Sequence, residues 1–341
     1  KSRARVLGID GVIALAADVP MTVAAVAEAL DLPGISMETA RLTSDKLVMK
    51  DRLRETGIPI PWYVAVPSVE ALKQWIDVRG YPLVLKPVDS RGARGVLRLT
   101  TGVDLDWAFA HTRSQSPTGR VMIEEWLDGP QYSSESIVVD GDIVTPSLCN
   151  RNYEYLDRYA PFIVENGGDW PAKCTPDQRV ALCGAAEKAG KALGIDRGTI
   201  KGDLVWTQNG PCVIEIASRL SGGYFSSIQC PCATGVDIVR AAIQLALGAN
   251  INIDECIPHY NTSCAIRYLW GTPGKVLYVG GLQEAYAAPG VIFYDISIRE
   301  GDVISSVSDH TKRLGCVITQ GKTYEEVILY AKAAIDKVKI D

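Results

Sequence analysis

The stretch Gly202-Asp203-Leu204-Val205-Trp206-Thr207, the turn residues Gln208-Asn209-Gly210, and Cys212-Val213-Ile214-Glu215-Ile216-Ala217-Ser218-Arg219 decide how the rest of the chain is read. Two apolar runs flank a turn signal, the pattern of a β-hairpin. Side chains alternate along a strand, so Val213, Glu215, Ala217 and Arg219 are expected on one face, with Ile214 and Ile216 packed behind it. An acid and an arginine at the rim of an apolar strand suit a metal and a phosphate. Register decides whether Asp203 joins them. A two-residue Asn-Gly turn pairs Asp203 with Ile216 and sends the carboxylates to opposite faces. A three-residue loop, or a bulge at Asn209-Gly210, pairs Asp203 with Glu215, their Cβ atoms roughly 5 Å apart. Pro211 lacks the N–H that would close a plain two-residue turn, which favours the longer loop. Two converging carboxylates are costly without a cation between them, so the pair is expected to hold Mg2+, with Mn2+ as the alternative.

Outward from the hairpin the chain reads as an α/β protein. Residues 1–10 resemble the tail of a helix, followed by a strand over 11–17, a helix over 21–30 and a turn at Leu32-Pro33-Gly34. This is the end of an α/β unit with a parallel sheet. Asp45 is a plausible N-cap for a helix that stops at Gly57. Residues 62–123 alternate strand, helix (68–78), strand, glycine loop, strand, helix (104–112), strand, as a small lobe would. A strand over 133–139, a helix over 176–193, the hairpin and a helix over 236–247 follow. The last part, 263–341, has short strands and a final helix over 323–338.

Two further motifs carry chemistry. In Val84-Leu85-Lys86-Pro87 and Asp89-Ser90-Arg91-Gly92-Ala93-Arg94-Gly95 a strand runs into a glycine loop whose N–H groups can cradle an anion, with Lys86 and Arg91 adding charge. The loop is neither a Walker loop nor a Rossmann fingerprint. In Val121-Met122-Ile123-Glu124-Glu125-Trp126-Leu127 an apolar strand ends in a hinge that can offer backbone groups and flat apolar surface to an adenine ring. Alone, the loop reads at best equally well as an ordinary hairpin loop carrying surface arginines, and the hinge reads better as a strand end with a solvated acidic pair.

The 341 residues suffice for two or three domains, and 47% hydrophobic with 22% charged residues describes a globular chain. Net charge is −5 with no long Lys/Arg run, which argues against nucleic acid or an anionic membrane as partner. The apolar segment 11–32 is interrupted by Asp18, Pro20, Glu28 and Asp31, too often for a membrane span or a signal peptide. Nine scattered cysteines read as reduced thiols, mostly in the core of a cytoplasmic protein. The start on Lys1 suggests an N-terminal portion lying outside this chain.

Taken together and in this order, Asp45-Lys46, Lys86 with its glycine loop, Glu124–Leu127, Asp203 with Glu215, and Arg219 resemble the ATP-grasp superfamily. The likeness is to its carboxylate–amine ligase branch, with a biotin-carboxylase-type C-terminal tail. The resemblance implies an α+β ATP-grasp fold: an N-terminal remnant (1–36), a hinge helix and linker (37–61), a small ATP-lid lobe (62–126), a larger antiparallel-sheet lobe with the metal site (127–258) and a C-terminal domain (259–341). It implies ATP contacts at Lys46, Lys86, Ser90, Arg91, Gly92, Glu124, Glu125, Trp126, Leu127 and Gln131 or Tyr132, with Mg2+ on Asp203 and Glu215. Arg219 and Lys86 would steady the transferred phosphate, and Arg267 the substrate or intermediate. Ser221-Gly222-Gly223 and Glu165 resemble substrate-proximal stretches, Glu165 reading equally as a solvated loop acid. The implied reaction turns a small carboxylate, such as an amino acid, into an acyl phosphate that an amine then captures, with release of ADP. The alternatives are a bicarbonate- or formate-using carboxylase or purine-pathway ligase, and an ATP-binding protein without turnover. A homodimer is one expected assembly. The family's usual Asn two residues after the second carboxylate is Ala217 here, which leaves a second metal short of a ligand.

Overall fold

The computed structural model describes residues 7–341. Most of the helix tail expected at 1–10 lies outside them. In chain order the helices α1 (Pro20–Leu30), α2 (Met37–Ser44) and α3 (Lys46–Glu55) come first. The segment β1 (Tyr63–Val66), α4 (Val69–Arg79), β2 (Leu83–Pro87), β3 (Leu97–Leu99), α5 (Leu105–Ser114), β4 (Val121–Glu125) follows. Next are β5 (Gln131–Val139), β6 (Asp142–Arg151), β7 (Gly167–Trp170), α6 (Pro176–Ala192), β8 (Gly198–Thr207) and β9 (Gly210–Ala217). The main elements of the last part are α7 (Ile238–Ala246), β10 (Ser263–Leu269), β11 (Val291–Ile296), β12 (Gly315–Gly321) and α8 (Tyr324–Ile335).

Helix starts follow local chemistry. Asp45 accepts from the N–H groups of Leu47 and Val48, Ser68 from Ala71, Asp104 from Asp106 and Trp107, and Thr323 from Glu326. Thr175 and Gln178 close a reciprocal capping box ahead of α6. Gly57 takes φ +74° just beyond α3, as its expected role requires. The expected strand over 11–17 does not form. Leu15 instead gives its carbonyl to the Leu220 N–H, and among the described residues no strand pairs with this run.

The chain divides into two compact units. The first holds the residues up to Pro61, 127–149 and 172–261. Its sheet runs β6-β5-β8-β9, with β9 at the edge. One core joins Met49 and Leu53 of α3 to Leu182 and Ala189 of α6 and to Leu204, Val213 and Ile216 of the hairpin. A second joins Ile137 and Leu220 to Ile238, Ala242 and Leu245 of α7.

The second unit holds 62–126, 150–171 and 262–341. One of its sheets runs β1-β4-β2-β3, backed by α4 and α5 over a core of Leu72, Ile76, Leu85, Leu97, Leu99 and Ile123. The other runs β11-β12-β10-β7, and β7 pairs with Asn150 and Arg151, the last residues of β6. Helix α8 seals it through Val327, Ala331 and Ala334.

Candidate active site

The β8–β9 ladder starts at Thr207↔Gly210 and continues through Trp206↔Pro211, Val205↔Cys212 and Leu204↔Val213. The connection is therefore the two residues Gln208-Asn209, and the expected three-residue loop is corrected. Pro211 is accommodated because β9 is an edge strand. Further along, the register shifts and Asp203 pairs with Glu215, leaving Ile214 as the extra residue of a bulge. The two carboxylates oppose each other as expected, but a bulge at Ile214 brings them together rather than one at Asn209-Gly210. The same bulge corrects the faces. Val213 and Ile216 both enter the core, whereas Val213 was expected beside Glu215 and Ile214 in the core.

Cations surround the pair. Asp203 is 7% exposed, bonded through Oδ2 to Lys201 Nζ, and Ser133 Oγ donates to its Oδ1 at 3.3 Å. Lys46 Nζ, at the first turn of α3, lies 3.2 Å from Glu215 Oε1. Arg219 forms a two-pronged pair with Asp18, which the sequence did not suggest, and donates to the Leu220 carbonyl at 2.9 Å. Burial works against the charge on Arg219, but the Asp18 carboxylate raises its pKa overall and holds the guanidinium as a cation. Ala217 is buried and offers no ligand. Among the described residues no group of three or more His, Cys, Asp or Glu side chains is placed to hold a metal by itself.

Next to these strands lies the loop from Ser221. Its Gly223 and Tyr224 both take positive φ, +65° and +66°. The Ser221 N–H and the Ser226 hydroxyl donate to Oε1 of Glu135, each at 2.5 Å. Glu135 sits on β5 with no exposed surface, and burial pushes its carboxyl up to about 7 against the pull of these donors. A lone acid in an otherwise Ser-rich strand was the signal for it, and sequence reading passed it over. Tyr132, expected as an ATP contact in alternative to Gln131, is a core residue whose hydroxyl donates to the Lys173 carbonyl. Gln131, its neighbour at the start of β5, is half-buried.

In the second unit Lys86 and Glu124 are diagonal neighbours on β2 and β4, since Lys86 faces Met122 and Glu124 faces Val84. Both are buried, and Lys86 Nζ donates to Glu124 Oε1 at 2.5 Å. The strand β4 lies between β1 and β2, so the backbones of Glu124 and Glu125 sit within the ladders and Trp126 and Leu127 follow beyond them. The Arg98 guanidinium stacks 4.6 Å from the Trp126 ring centre. The glycine loop turns through positive φ at Gly92, Ala93 and Gly95. Asp89 anchors its start by accepting from Ser116 and Thr118, and half-buried Ser90 and exposed Arg91 lead into the turn over 92–95.

Glu165 is not a solvated loop acid. Arg151 Nε and Nη2 donate to its Oε2 at 2.8 and 2.5 Å, and Arg313 Nη2 lies 3.6 Å from its Oε1. His310 accepts the Glu165 N–H through Nε2 while donating its own N–H to the Gly92 carbonyl, which ties the glycine loop to this stretch. Arg267, only 2% exposed, donates to Asp169 at 2.6 Å and lies 3.5 Å from Glu154. Burial pushes the Glu154 carboxyl up, but Lys332, Asn166 and Arg267 together hold it below its usual value. The sequence offered no periodic or motif signal for Arg151, Glu154, Asp169, His310 or Arg313. Arg151 and Asp169 are brought in by strands β6 and β7, whereas Glu154 comes from a turn and His310 and Arg313 from a short 3-10 turn and its end.

Residues 43–223 match the family model of the ATP-grasp domain, and residues 267–341 that of the L-amino acid ligase C-terminal domain 2. Uncharacterized protein y4rH of Sinorhizobium fredii is 25% identical over 334 residues, covering 97% of this chain and 68% of that protein. Dapdiamide A synthase of Enterobacter agglomerans is 24% identical over 299 residues, covering 82% of this chain and 68% of that one. In fold, the crystal structure of L-amino acid ligase from Bacillus licheniformis matches all of this chain and 82% of its own, with a TM-score of 0.86 at 23% identity. With more than half its length inside the ATP-grasp model and its C-terminal part in the ligase-specific one, the chain belongs to the ATP-grasp family of ligases.

Proposed function

We propose that this protein converts a small carboxylate, an amino acid in the first instance, into an acyl phosphate at the expense of ATP and couples it to an amine. The observation that carries this reading is the Asp203↔Glu215 pair with Lys46, Lys201 and Arg219 around it. Two carboxylates are too few for a protein-only metal cage. They suit Mg2+, which takes one or two carboxylates and completes its shell with phosphate oxygens and water. Bound there, Mg2+ would neutralise charge on the ATP phosphates.

The chain's own residues supply the rest. Each unit offers a lysine for phosphate oxygens that an acid already orients: Lys46 by Glu215 in the first, Lys86 by Glu124 in the second. Backbone N–H groups of Ser90, Arg91 and Gly92 add to the phosphate site, and Glu124, Glu125, Trp126, Leu127 and Gln131 form the adenosine site. Arg219, kept cationic by Asp18, offsets charge on the phosphoryl group in flight. A carboxylate oxygen attacks the γ-phosphorus, the bond to the bridging oxygen breaks and ADP leaves. The amine nitrogen then attacks the acyl carbon, phosphate departs, and the amine proton passes to solvent. Substrate contacts are proposed for each unit by itself: the Ser221-Gly222-Gly223 loop in the first, Arg267 and Glu165 in the second. Support for an amino-acid substrate over bicarbonate comes from the ligase-specific match of residues 267–341.

The test is ADP release with Mg-ATP against pairs of amino acids and against bicarbonate, with the product mass measured. A peptide-bond product is expected, and turnover that requires bicarbonate instead would overturn the substrate reading. Glu215→Ala is expected to lower Mg-dependent turnover by about 100-fold or more. Unchanged turnover in that variant sinks the metal assignment.

A further inference from the structure

Helix α3 and the linker after it cover the open edge of β9. Lys46, Met49 and Lys50 stand at i, i+3 and i+4, on one face of the helix. Lys46 reaches Glu215 at 3.2 Å. Met49 Sδ accepts the Ile216 N–H at 3.4 Å, and Lys50 Nζ donates to the Ile214 carbonyl at 3.1 Å. Beyond the helix, the Pro59 carbonyl accepts the Val213 N–H at 2.8 Å. Four successive residues of β9 therefore each meet the segment 46–59, and Lys50, 1% exposed, serves the one residue that has no partner on β8. An edge strand bulges where its spare backbone groups find other partners.

The consequence lies in the register. Carried on from Leu204↔Val213 without a bulge, the ladder would pair Asp203 with Ile214 and Glu215 with Gly202. Asp203 and Glu215 would then project from opposite faces. We propose that Lys50 is a positioning residue for the magnesium site: by holding the Ile214 carbonyl it absorbs the extra residue and keeps Glu215 opposite Asp203. The inference rests on the metal assignment made above and adds a residue to it that touches neither nucleotide nor metal.

The experiment measures the Mg2+ concentration at half-saturation of ATP binding, alongside ATP affinity in EDTA. Lys50→Met keeps the buried length of the side chain and removes the donor. It is expected to raise the Mg2+ requirement about tenfold while metal-free ATP affinity stays within about twofold. Deleting Ile214 in the same background leaves Val213 followed directly by Glu215, so a plain ladder restores Asp203↔Glu215 without any lysine. That double variant is expected to return to within about threefold of the native Mg2+ requirement, a rescue that loss of stability alone would not show. Should Lys50→Met alone fail to fold, the deletion is expected to recover both folding and Mg2+ dependence. A native Mg2+ requirement in Lys50→Met overturns the proposal, as does a deletion that restores nothing. Glu215→Ala separates the two claims. If it leaves Mg2+ dependence intact the metal assignment fails; if it abolishes dependence while Lys50→Met does not disturb it, only the role of Lys50 fails.

Discussion

Two carboxylates in the first unit are handled in opposite ways. Asp203 is nearly buried yet has Lys201 and Ser133 to answer it, whereas Glu135 is wholly buried with hydroxyl and amide donors at one oxygen. Desolvation dominates at Glu135 and pushes its carboxyl up to about 7 from an ordinary value of about 4.5. Between those values the folded chain keeps a proton that the unfolded chain has lost. Its contribution to stability is therefore full below about 4.5 and is lost as pH rises through about 7. The loss amounts to at most about 3 kcal/mol. Thermal unfolding of the native protein and of Glu135→Gln between pH 5 and 8 checks this: the variant is expected to show a flatter fall in Tm with pH. An identical slope in both would remove Glu135 from the account. The lone acid in a Ser-rich strand marks this residue, but its burial is not legible there, because an acid on a strand reads as solvent-facing until the loop at Ser221 donates to it.

Helix α3 is an element with several duties, and its sequence advertises only one. The Asp45 cap and Gly57 stop are local chemistry and are legible directly, as are the caps at Ser68, Asp104, Thr175 and Thr323. The short helix α2, capped by Ser36 on Thr39, was legible by the same rule but was not anticipated. Removing the cap by Asp45→Ala is expected to destabilise the protein by about 1 kcal/mol in denaturant unfolding. Because Lys46 and Lys50 both ride on that first turn and a half, the same variant is expected to raise the KM for Mg-ATP. A stability loss with an unaltered KM would show that the helix holds its lysines in place without the cap. The run 11–17 shows the complement: among the described residues no strand pairs with it, and apolar residues specify burial without by themselves making a strand.

At the scale of the molecule, each compact unit carries its own core and its own set of charged side chains, and nucleotide binding is expected to register in global stability. Mg-ATP at a hundredfold excess over its Kd should add about 2.7 kcal/mol, visible as a rise in Tm. EDTA or Glu215→Ala is expected to remove the magnesium-dependent part of that rise; an undiminished shift in EDTA would mean that nucleotide binds without the metal pair. By itself the sequence determined the alternation of elements, the helix caps, the glycine loop and the family, since these rest on neighbours a few residues apart and on motif order. Tertiary structure alone decided the facing of Asp203 and Glu215, because the bulge at Ile214 is answered by Lys50, Met49 and Pro59 from far earlier in the chain. It likewise decided that Glu165 is clamped by Arg151 and Arg313, and that Arg219 is held by Asp18. A periodic pattern says which face a side chain takes on a regular strand; where one residue is looped out, packing from elsewhere sets the count.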